Sequence, residues 1–395
     1  MLTTSLQIRA FKAFDECTIP LEPFSVIVGA NGVGKTTVLQ AFALFGRLTS
    51  ASLKDMLEGT GWDYADLPHL RARDQRFGVT ARVSPTPDWE LEWELSLQTR
   101  RRPGVHIERV VENPATDATL LLQRDGRNMG RRNQHTEDWE TIRQTLTSSW
   151  LSTIDPKYDL EPFPGLTQLY RWARGMRTYL LDAWQMRRPS RRSHELGEDG
   201  RNLASFLLHL RETRSAAFKR VLERVTNQYP RLESLRLVER RAGWTELEIS
   251  ERWGQKAIRF NARQVSDGLL RLLAISAMFE LDDSPSVILL DEIENGLHPH
   301  LLRGVIEMLQ ELVDRSRGGT QVLATTHSPI ALNYVRDASQ ILVGYREART
   351  GVAQVKRMVD LPRYDALSGY FDKGDLWYNV GEQALVTAPR KRGRR

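Results

Sequence analysis

Gly29-Ala30-Asn31-Gly32-Val33-Gly34-Lys35-Thr36 is the stretch that decides the fold of this chain. It matches G-x-x-x-x-G-K-[ST], the pattern of a phosphate-binding loop between a strand and a helix. The apolar run from Phe24 to Val28 predicts a buried strand before the loop, and Thr37 to Phe45 predicts a helix after it. The glycines let backbone N–H groups turn towards phosphate oxygens, and the helix N-terminus adds partial positive charge. The motif therefore predicts that the chain binds ATP or GTP.

Two acidic residues far downstream complete the predicted phosphate chemistry. The apolar run from Ser286 to Leu290 predicts a buried strand that ends in Asp291 and Glu292. Asp291 and the Thr36 hydroxyl are expected to hold Mg²⁺, and Glu292 to orient or deprotonate the attacking water. Lys35 is expected to reach the β- and γ-phosphates. The predicted nucleotide-binding residues of the loop are Asn31, Gly32, Val33, Gly34, Lys35, Thr36 and Thr37.

Two further motifs flank Asp291 in the sequence. Ser266-Asp267-Gly268 opens an apolar helical stretch, where Ser266 is placed as an N-cap and could grip an anion together with the helix N-terminus. The strand-like run from Gln321 to Thr326 ends in His327, which could contact the γ-phosphate and sense its hydrolysis. Taken alone, each motif has a structural explanation, a plain helix cap for the first and a structural histidine for the second.

The composition is that of an ordinary globular protein. Of the 395 residues 41% are hydrophobic and 27% charged, and no uninterrupted apolar run is long enough for a membrane span. The first residues lack the apolar core of a signal peptide. Cys17 is the only cysteine, which excludes an internal disulfide and a cysteine-based zinc site. A cytoplasmic protein without membrane contact is expected.

Positive charge is unevenly distributed along the chain. The net charge is +6, and the segment from Arg390 to Arg395 alone carries five positive charges and no negative one. This tail is either a solvated end or a contact with nucleic acid or a partner. Arg100–Arg102, Arg131-Arg132 and Arg187–Arg192 form further clusters among acidic segments. The last cluster could face DNA, a partner or solvent, so composition permits DNA binding without requiring it.

The remaining sequence predicts a β-rich first part and a helical middle. Leu6 to Phe14 alternates like a half-buried strand, and short β-like runs punctuated by prolines between Arg76 and Gln123 predict antiparallel hairpins. Residues 126 to 165 are polar and irregular, with one helix predicted around Glu137 to Leu151. Asn202 to Tyr229 predicts two helices broken near Arg214, and Leu235 to Phe260 predicts two or three antiparallel strands that turn near Ala242. The sequence thus predicts four parts. They are an N-terminal ATPase lobe with the phosphate loop and β-hairpins (1–125), a mainly helical insertion (126–230), a C-terminal ATPase lobe (231–387) and a basic tail (388–395).

The order of the four motifs resembles that of an ABC-type ATPase head. The motifs stand where that superfamily has its phosphate loop, signature, second acidic motif and switch histidine. The long separation of Lys35 from Ser266 is similar to the SMC/RecF/OLD branch and unlike transporter domains. Over nearly the whole chain, the sequence more narrowly resembles stand-alone OLD-like ATPases of the AAA family in bacterial anti-phage systems. That likeness is carried by Asp199-Gly200-Arg201-Asn202-Leu203-Ala204, Ser266-Asp267-Gly268, Asp291-Glu292-Ile293-Glu294-Asn295-Gly296-Leu297-His298-Pro299, Thr325-Thr326-His327-Ser328-Pro329 and Gly374-Asp375-Leu376-Trp377.

The resemblance implies an α/β P-loop NTPase fold, with an ABC-ATPase-like head, an antiparallel β lobe and an inserted helical region. It implies ATP rather than GTP, Mg²⁺, and Glu292, His327 and Lys35 as catalytic residues. It also implies that Ser266, Asp267 and Gly268 of one subunit contact the γ-phosphate bound to another. The expected homo-oligomer is therefore a head-to-tail dimer that encloses ATP in two composite sites.

The chain departs from the family pattern in three respects. Asp267 stands where transporters carry glycine, which puts a negative charge near the expected phosphate. The glutamine loop has three candidates, Gln98, Gln123 and Gln185. The stretch after His327 is too short for the nuclease domain of OLD nucleases, so any nuclease is expected on another chain.

Three functions are compatible with these motifs. The first is an ATPase that acts as sensor or scaffold for a partner effector, a nuclease or toxin, in anti-phage defence. The second is a DNA-maintenance ATPase, closer to RecF, that binds duplex DNA through its arginine clusters. The third is a nucleotide-stabilised scaffold with negligible turnover, in which Glu292→Gln would leave cellular activity intact.

Overall fold

The computed structural model describes residues 1–58, 60, 62–72 and 75–387. The predicted basic tail, 388–395, lies outside these described residues. No helix in the described part of the chain has the length and apolar character of a membrane span. The strands are β1 Leu2–Phe11, β2 Phe14–Pro20, β3 Phe24–Val28, β4 Arg76–Thr86, β5 Trp89–Gln98, β6 Gly104–Glu112, β7 Thr119–Asp125, β8 Asn128–Arg132, β9 Trp139–Arg143, β10 Met176–Tyr179, β11 Ser190–Arg191, β12 Leu232–Glu239, β13 Trp244–Trp253, β14 Lys256–Asn261, β15 Val287–Leu290, β16 Gln321–Thr326, β17 Ile341–Arg346 and β18 Ala353–Arg357. The helices are α1 Lys35–Leu48, α2 Leu53–Leu57, α3 Pro164–Arg174, α4 Ala183–Met186, α5 Leu203–Thr213, α6 Ser215–Gln228, α7 Asp267–Ala277, α8 Pro299–Arg315, α9 Pro329–Asn333, α10 Tyr364–Leu367, α11 Lys373–Val380 and α12 Glu382–Val386.

A six-stranded central sheet carries the predicted motifs. Its strand order is β10-β15-β16-β3-β17-β18, and every neighbouring pair is parallel except β17 and β18. Strands β3, β15 and β16 are buried along their whole length, as their continuous apolar runs predict. Because parallel strands end at the same edge of a sheet, the segments that follow β3, β15 and β16 meet there.

An eight-stranded antiparallel sheet, the lobe sheet, packs beside the central sheet. Its order is β2-β1-β4-β5-β6-β7-β8-β9, and alternate residues of β5 are buried. Trp93 from this sheet lies with Phe45 of α1 and Trp172 of α3 in one aromatic cluster. The sheet therefore packs against α1, which leads out of the phosphate loop. The predicted α/β P-loop fold with an antiparallel β lobe is confirmed.

The central sheet has an apolar core on each face. Val26 and Leu290 belong to the core shared with α5 to α8, whereas Ile27 and Leu289 belong to the core shared with α1, α3 and the lobe sheet. A third, small sheet of β11, β13, β12 and β14 packs against α5 and α6. The helix pair broken at Arg214 and the antiparallel strands turning at Ala242 are confirmed.

The helix predicted around Glu137 to Leu151 is wrong. Residues 139–143 form β9, which pairs antiparallel with β8. Glu137 has a φ of 63°, a left-handed conformation that a helix cannot include, and Glu140 accepts a hydrogen bond from Arg131 at 2.8 Å. Cross-strand pairing with β8 therefore overrides the local helical tendency. Strands β8 and β9 extend the lobe sheet beyond residue 125, and the division into parts stays a prediction.

Candidate functional site

The phosphate loop joins β3 to α1 at the edge of the central sheet. A Cβ atom on Gly29 would lie 2.5 Å from the Gly344 carbonyl oxygen, and one on Gly34 would lie 2.8 Å from the Phe14 ring. Gly34 also has a φ of 95°, so both positions require glycine. Among the described residues no side chain caps the N-terminus of α1, and its first turn is free of acidic residues. The first N–H groups of α1 therefore suit an anionic ligand.

Lys35 and His327 lie together at this loop. The Lys35 Nζ atom donates hydrogen bonds to the carbonyl oxygens of Gly29 and Ala30 at 2.8 and 2.9 Å, and lies 3.3 Å from His327 Nδ1. Because an ammonium group only donates, His327 Nδ1 is the acceptor in this contact. The end of β16 thus places the predicted switch histidine beside the predicted phosphate-binding lysine.

Asp291 and Glu292 are held by one threonine of the neighbouring strand. The Thr325 hydroxyl donates to Asp291 Oδ1 and accepts a hydrogen bond from the Glu292 backbone N–H at 2.8 Å. Glu292 has a φ of 48°, a left-handed conformation that is uncommon for this residue type and that collects at functional sites. Neighbouring strands β15 and β16 therefore fix both predicted acidic residues through Thr325.

Thr36 and Asp291 line a common cavity of about 260 Å³. Hydroxyl and carboxylate oxygens are ligands that Mg²⁺ prefers, and the uncapped N-terminus of α1, to which Thr36 belongs, suits phosphate. The described residues therefore fit a magnesium nucleotide. The cavity continues along α1 between Lys12, Leu44 and Trp62.

Ser266 caps α7, as predicted. Its hydroxyl accepts a hydrogen bond from the Leu269 N–H at 3.3 Å. Asp267 forms an ion pair with Arg187, whose guanidinium also donates to the Val265 carbonyl oxygen at 2.8 Å. The negative charge that Asp267 brings to the signature is thus opposed by Arg187. Ser266 and Asp267 are exposed.

The loop after Glu292 packs closely against the start of α7. A Cβ atom on Gly268 would lie 3.2 Å from the Gly296 carbonyl oxygen, and one on Gly296 would lie 2.9 Å from the Asp267 Cβ atom. The structure thus brings Thr36 to Asp291 and Lys35 to His327, and it places the Ser266 helix end beside the loop after Glu292. The predicted loop residues Asn31, Gly32, Val33 and Thr37 all lie in the turn between β3 and α1 or in the first turn of α1.

Three side chains of the site escaped the sequence analysis. Glu294 accepts hydrogen bonds from the Thr326 hydroxyl at 2.8 Å and from the His327 N–H. Arg346 donates to the Gly32 carbonyl oxygen through Nη2 at 2.6 Å and Nε at 3.1 Å. Glu294 belongs to the quoted acidic motif, whereas nothing in the sequence near Arg346 signals a contact with the phosphate loop.

Lys12 is the third of these side chains. Its Nζ atom donates to Gln40 Oε1 at 2.7 Å and lies over the Trp62 ring. Burial lowers the pKa of Lys12 to about 7, and the nearby Asp66 carboxylate opposes this shift. Lys12 therefore places an amino group at the cavity that Thr36 also lines, and whether this group is charged depends on pH.

Two of the three candidates for the glutamine loop lie in the lobe sheet, and the third lies in a helix. Gln98 ends β5 of the lobe sheet and donates to the Arg102 carbonyl oxygen at 2.8 Å, and Gln123 lies on β7 of the same sheet. Gln185 lies in α4, shortly after β10, the neighbour of β15 in the central sheet. Of the three, only Gln185 follows a strand of the sheet that carries the site.

Comparisons with known proteins agree with this arrangement. The family described as "AAA domain, putative AbiEii toxin, Type IV TA system" matches residues 24–333. A solved SMC head bound to the C-winged helix domain of ScpA superposes with a TM-score of 0.56 at 16% identity, covering 90% of this chain and 97% of that chain. An SMC head with an extended coiled coil, bound to the C-terminal domain of ScpA derived from Pyrococcus furiosus, gives 0.50 at 14% identity, covering 90% and 95%.

At these identities the likeness to solved structures establishes the fold alone. A comparison with curated proteins gives no match. The family match, in contrast, spans most of the chain and includes the phosphate loop, the signature segment, the acidic pair and His327. The protein therefore belongs to this AAA-domain family, and its fold is that of a P-loop ATPase.

Proposed function

We propose that this protein hydrolyses ATP, dimerises head-to-tail when ATP binds, and controls a partner effector in bacterial anti-phage defence. One observation carries the proposal. Ser266 is exposed at the start of α7, whereas Lys35 is 6% exposed inside the phosphate loop. The signature is therefore accessible to the phosphate of a second chain, and a head-to-tail pair would complete two such sites.

Each residue of the composite site has a separate task. ATP supplies the bond to be broken, and Mg²⁺ neutralises phosphate charge when both are bound. Lys35 and the N-terminus of α1 bind phosphate, and Thr36 and Asp291 would hold the metal. Glu292 takes the proton of the attacking water, with its backbone held by Thr325. His327, whose neighbour is Lys35, would sense loss of the γ-phosphate.

The effector part of the proposal rests on likeness. The matching family is described by an AbiEii toxin and a type IV toxin–antitoxin system, and two solved heads of similar fold are bound to domains of another protein, ScpA. A protein effector, a nuclease or toxin, is the corresponding partner of this chain. Such a system would operate in the cytoplasm.

The test is the solution mass of Glu292→Gln with and without Mg-ATP, measured by light scattering after size exclusion. The expected result is a mass that doubles only with nucleotide. Adding Ser266→Arg should prevent the doubling, whereas Ser234→Arg, at an exposed serine of β12, should not. A monomer in saturating ATP would contradict the proposal. An oligomer that ignores nucleotide would point to a constitutive scaffold.

A second candidate function is that of a DNA-binding ATPase. Exposed cations on and after one strand favour it. Lys256 and Arg259 of β14 and the following Arg263 are exposed and have no ion-pair partner among the described residues. The arginine clusters noted in the sequence differ from these cations, because they contain arginines that form ion pairs. Arg131 pairs with Glu140, and Arg192 pairs with Glu212. β14 and the segment after it thus expose three cations that could contact phosphates.

Duplex DNA affinity measured across a series of salt concentrations tests this candidate. Arg259→Gln should weaken binding and reduce the salt dependence, because one phosphate contact is lost. Arg192→Gln serves as the control at a paired arginine. Affinity below detection at low salt would exclude direct DNA binding.

A further inference from the structure

Arg271 joins three segments that build the site. It lies in the second turn of α7, after Ser266, and its side chain is 5% exposed. Its Nη2 atom donates to the carbonyl oxygen of Leu181, which follows the edge strand β10, and its Nη1 atom donates to the carbonyl oxygen of Glu292 at 3.3 Å. One buried guanidinium therefore connects the signature helix, the end of β10 and the loop that carries Glu292.

Two opposing effects act on the charge of Arg271. Burial lowers the pKa of the guanidinium, while nearby carboxylates oppose that shift. These carboxylates are Asp267, Asp182, Glu292 and Glu294. Hydrogen bonds from a charged donor are stronger than those from a neutral one, which favours both contacts of Arg271.

The backbone of Glu292 is held from both sides. Thr325 accepts a hydrogen bond from its N–H, and Arg271 donates to its carbonyl oxygen. These two contacts fix the peptide groups before and after a residue whose φ is 48°. Since the direction of the Cα–Cβ bond follows from the backbone, the two contacts also set the direction in which the Glu292 side chain leaves the loop. A movement of α7 that shifted Arg271 would change that direction.

We propose that Arg271 is a positioning residue that couples the signature of each subunit to the Glu292 of the same subunit. The inference rests on the proposed head-to-tail dimer. There, Ser266 of one subunit would contact the nucleotide bound to its partner, while Arg271 of the same helix holds the general base of its own site. Nucleotide engaged at one composite site thus prepares the other site for hydrolysis, through α7.

The test compares Arg271→Met and Arg271→Lys with the wild type. Arg271→Met removes both hydrogen bonds, so kcat should fall on the order of tenfold or more, because a small misplacement of a catalytic group has large effects on rate. KM for ATP should change less than about twofold, since Arg271 does not touch the phosphate loop. Arg271→Lys can restore one of the two contacts and should recover part of the kcat.

The coupling between the two composite sites is tested separately, by the dependence of the hydrolysis rate on ATP concentration. The hydrolysis rate of the wild type should rise cooperatively with ATP concentration, with a Hill coefficient above one, and that of Arg271→Lys should be hyperbolic. In the Glu292→Gln background, the Arg271 variants should still double in mass with Mg-ATP. Arg124 is the matched control, because it is 2% exposed and also donates to backbone carbonyl groups, in the lobe sheet. Arg124→Lys should lower thermal stability and leave kcat and cooperativity unchanged.

The outcomes separate this inference from the proposed function. Wild-type kcat and cooperativity in the Arg271 variants, with dimerisation intact, would overturn the inference alone. So would a loss of kcat that appears equally in Arg124→Lys. A Glu292→Gln protein that stays monomeric in ATP would overturn the proposed function, and the coupling with it. If Arg271→Met does not fold, the Arg271→Lys variant decides, by the same kcat, KM and mass readouts.

Discussion

At the scale of single residues, Lys12 shows how burial can place a group with a pH-dependent charge beside the candidate phosphate site. Its stem lies in the cavity that also contains Thr36 and Asp291, and its Nζ atom has Gln40 as hydrogen-bond partner. Desolvation disfavours the ammonium form, which lowers the pKa of Lys12 to about 7. A bound anion in the same cavity would favour the charged form again.

Lys12 should make the stability of the protein depend on pH. Its pKa is about 7 in the folded protein against an ordinary value of 10.5, so the folded state binds fewer protons between these limits. The free energy of unfolding should therefore rise as pH increases from 7 to 10.5. Lys12→Met should reduce this rise, measured by urea unfolding at several pH values. Lys54→Met, at an exposed lysine of α2, is the control; equal slopes in both variants would refute the assignment.

At the scale of elements, close backbone contact joins the segment after His327 to the C-terminal helices. Helix α9 begins two residues after His327 and packs against α11. A Cβ atom on Gly374 would lie 2.0 Å from the Pro329 carbonyl oxygen, and the Gly374 N–H donates to Asn333 Oδ1 at 2.6 Å. Only a residue without a side chain permits this approach of α11 to α9.

Gly374→Ala should destabilise the protein by about 1–3 kcal/mol, the usual effect of overpacking. The added methyl group would meet backbone atoms, which cannot rotate away. Gly369→Ala is the matched control, because nothing lies within 4 Å of its added Cβ atom. Its effect should stay within about 0.5 kcal/mol. Urea unfolding of the two variants checks both values, and similar stabilities would mean that α9 and α11 are less closely packed.

The lobe sheet is tied to the segment that follows it through a buried carboxylate. Glu108 of β6 accepts hydrogen bonds from the Ser149 hydroxyl at 2.6 Å, the Trp150 N–H at 2.7 Å and Trp93 Nε1 at 3.1 Å. Its ion-pair partner is Arg124, 3.9 Å away. Burial raises the pKa of Glu108, whereas Arg124 and these donors lower it.

Replacing Glu108 by alanine should cost about 3–5 kcal/mol of unfolding free energy, because Arg124 would lose its buried counter-charge and the three donors would lose their acceptor. Glu137→Ala removes an exposed partner of Arg132 and should cost about 1 kcal/mol or less. Denaturant unfolding compares the two variants. Equal losses would show that the Glu108 contacts contribute no more than a surface ion pair.

At the scale of the whole molecule, the site lies where two apolar cores meet. Alternate residues of the central strands pack into one core or the other, and the phosphate loop leaves the sheet between them. A ligand held by α1, by the segment after β15 and by the end of β16 would therefore contact elements of both cores. Binding to the folded state alone raises the free energy of unfolding of the whole molecule.

Mg-ATP should raise the stability of Glu292→Gln by about 2.7 kcal/mol when free nucleotide is about 100 times its Kd. The physical reason is mass action on the folded state. Lys35→Ala removes the proposed phosphate contact and should abolish most of the effect. Thermal unfolding at increasing Mg-ATP concentrations is the measurement, and an equal shift in Lys35→Ala would place the nucleotide elsewhere.

Local sequence patterns were sufficient wherever the structure is determined by neighbours along the chain. The strands β3, β15 and β16, the Ser266 cap and the break at Arg214 all follow from apolar runs and hydrogen bonds within a few residues. The phosphate loop belongs to the same class, because its glycines act on their own backbone. Residues 139–143 do not, since their strand exists only through pairing with β8.

The contacts that organise the site depended instead on the packing of remote segments. Thr325 holds Asp291, Arg346 holds Gly32 and Arg271 holds Glu292, although long stretches of chain separate the partners. A side chain can reach such a partner only after the order of the strands and the docking of α7 have brought the two backbones together. The residue types that carry the chemistry can therefore be predicted from the sequence. Their positions in space are set by the folded sheet.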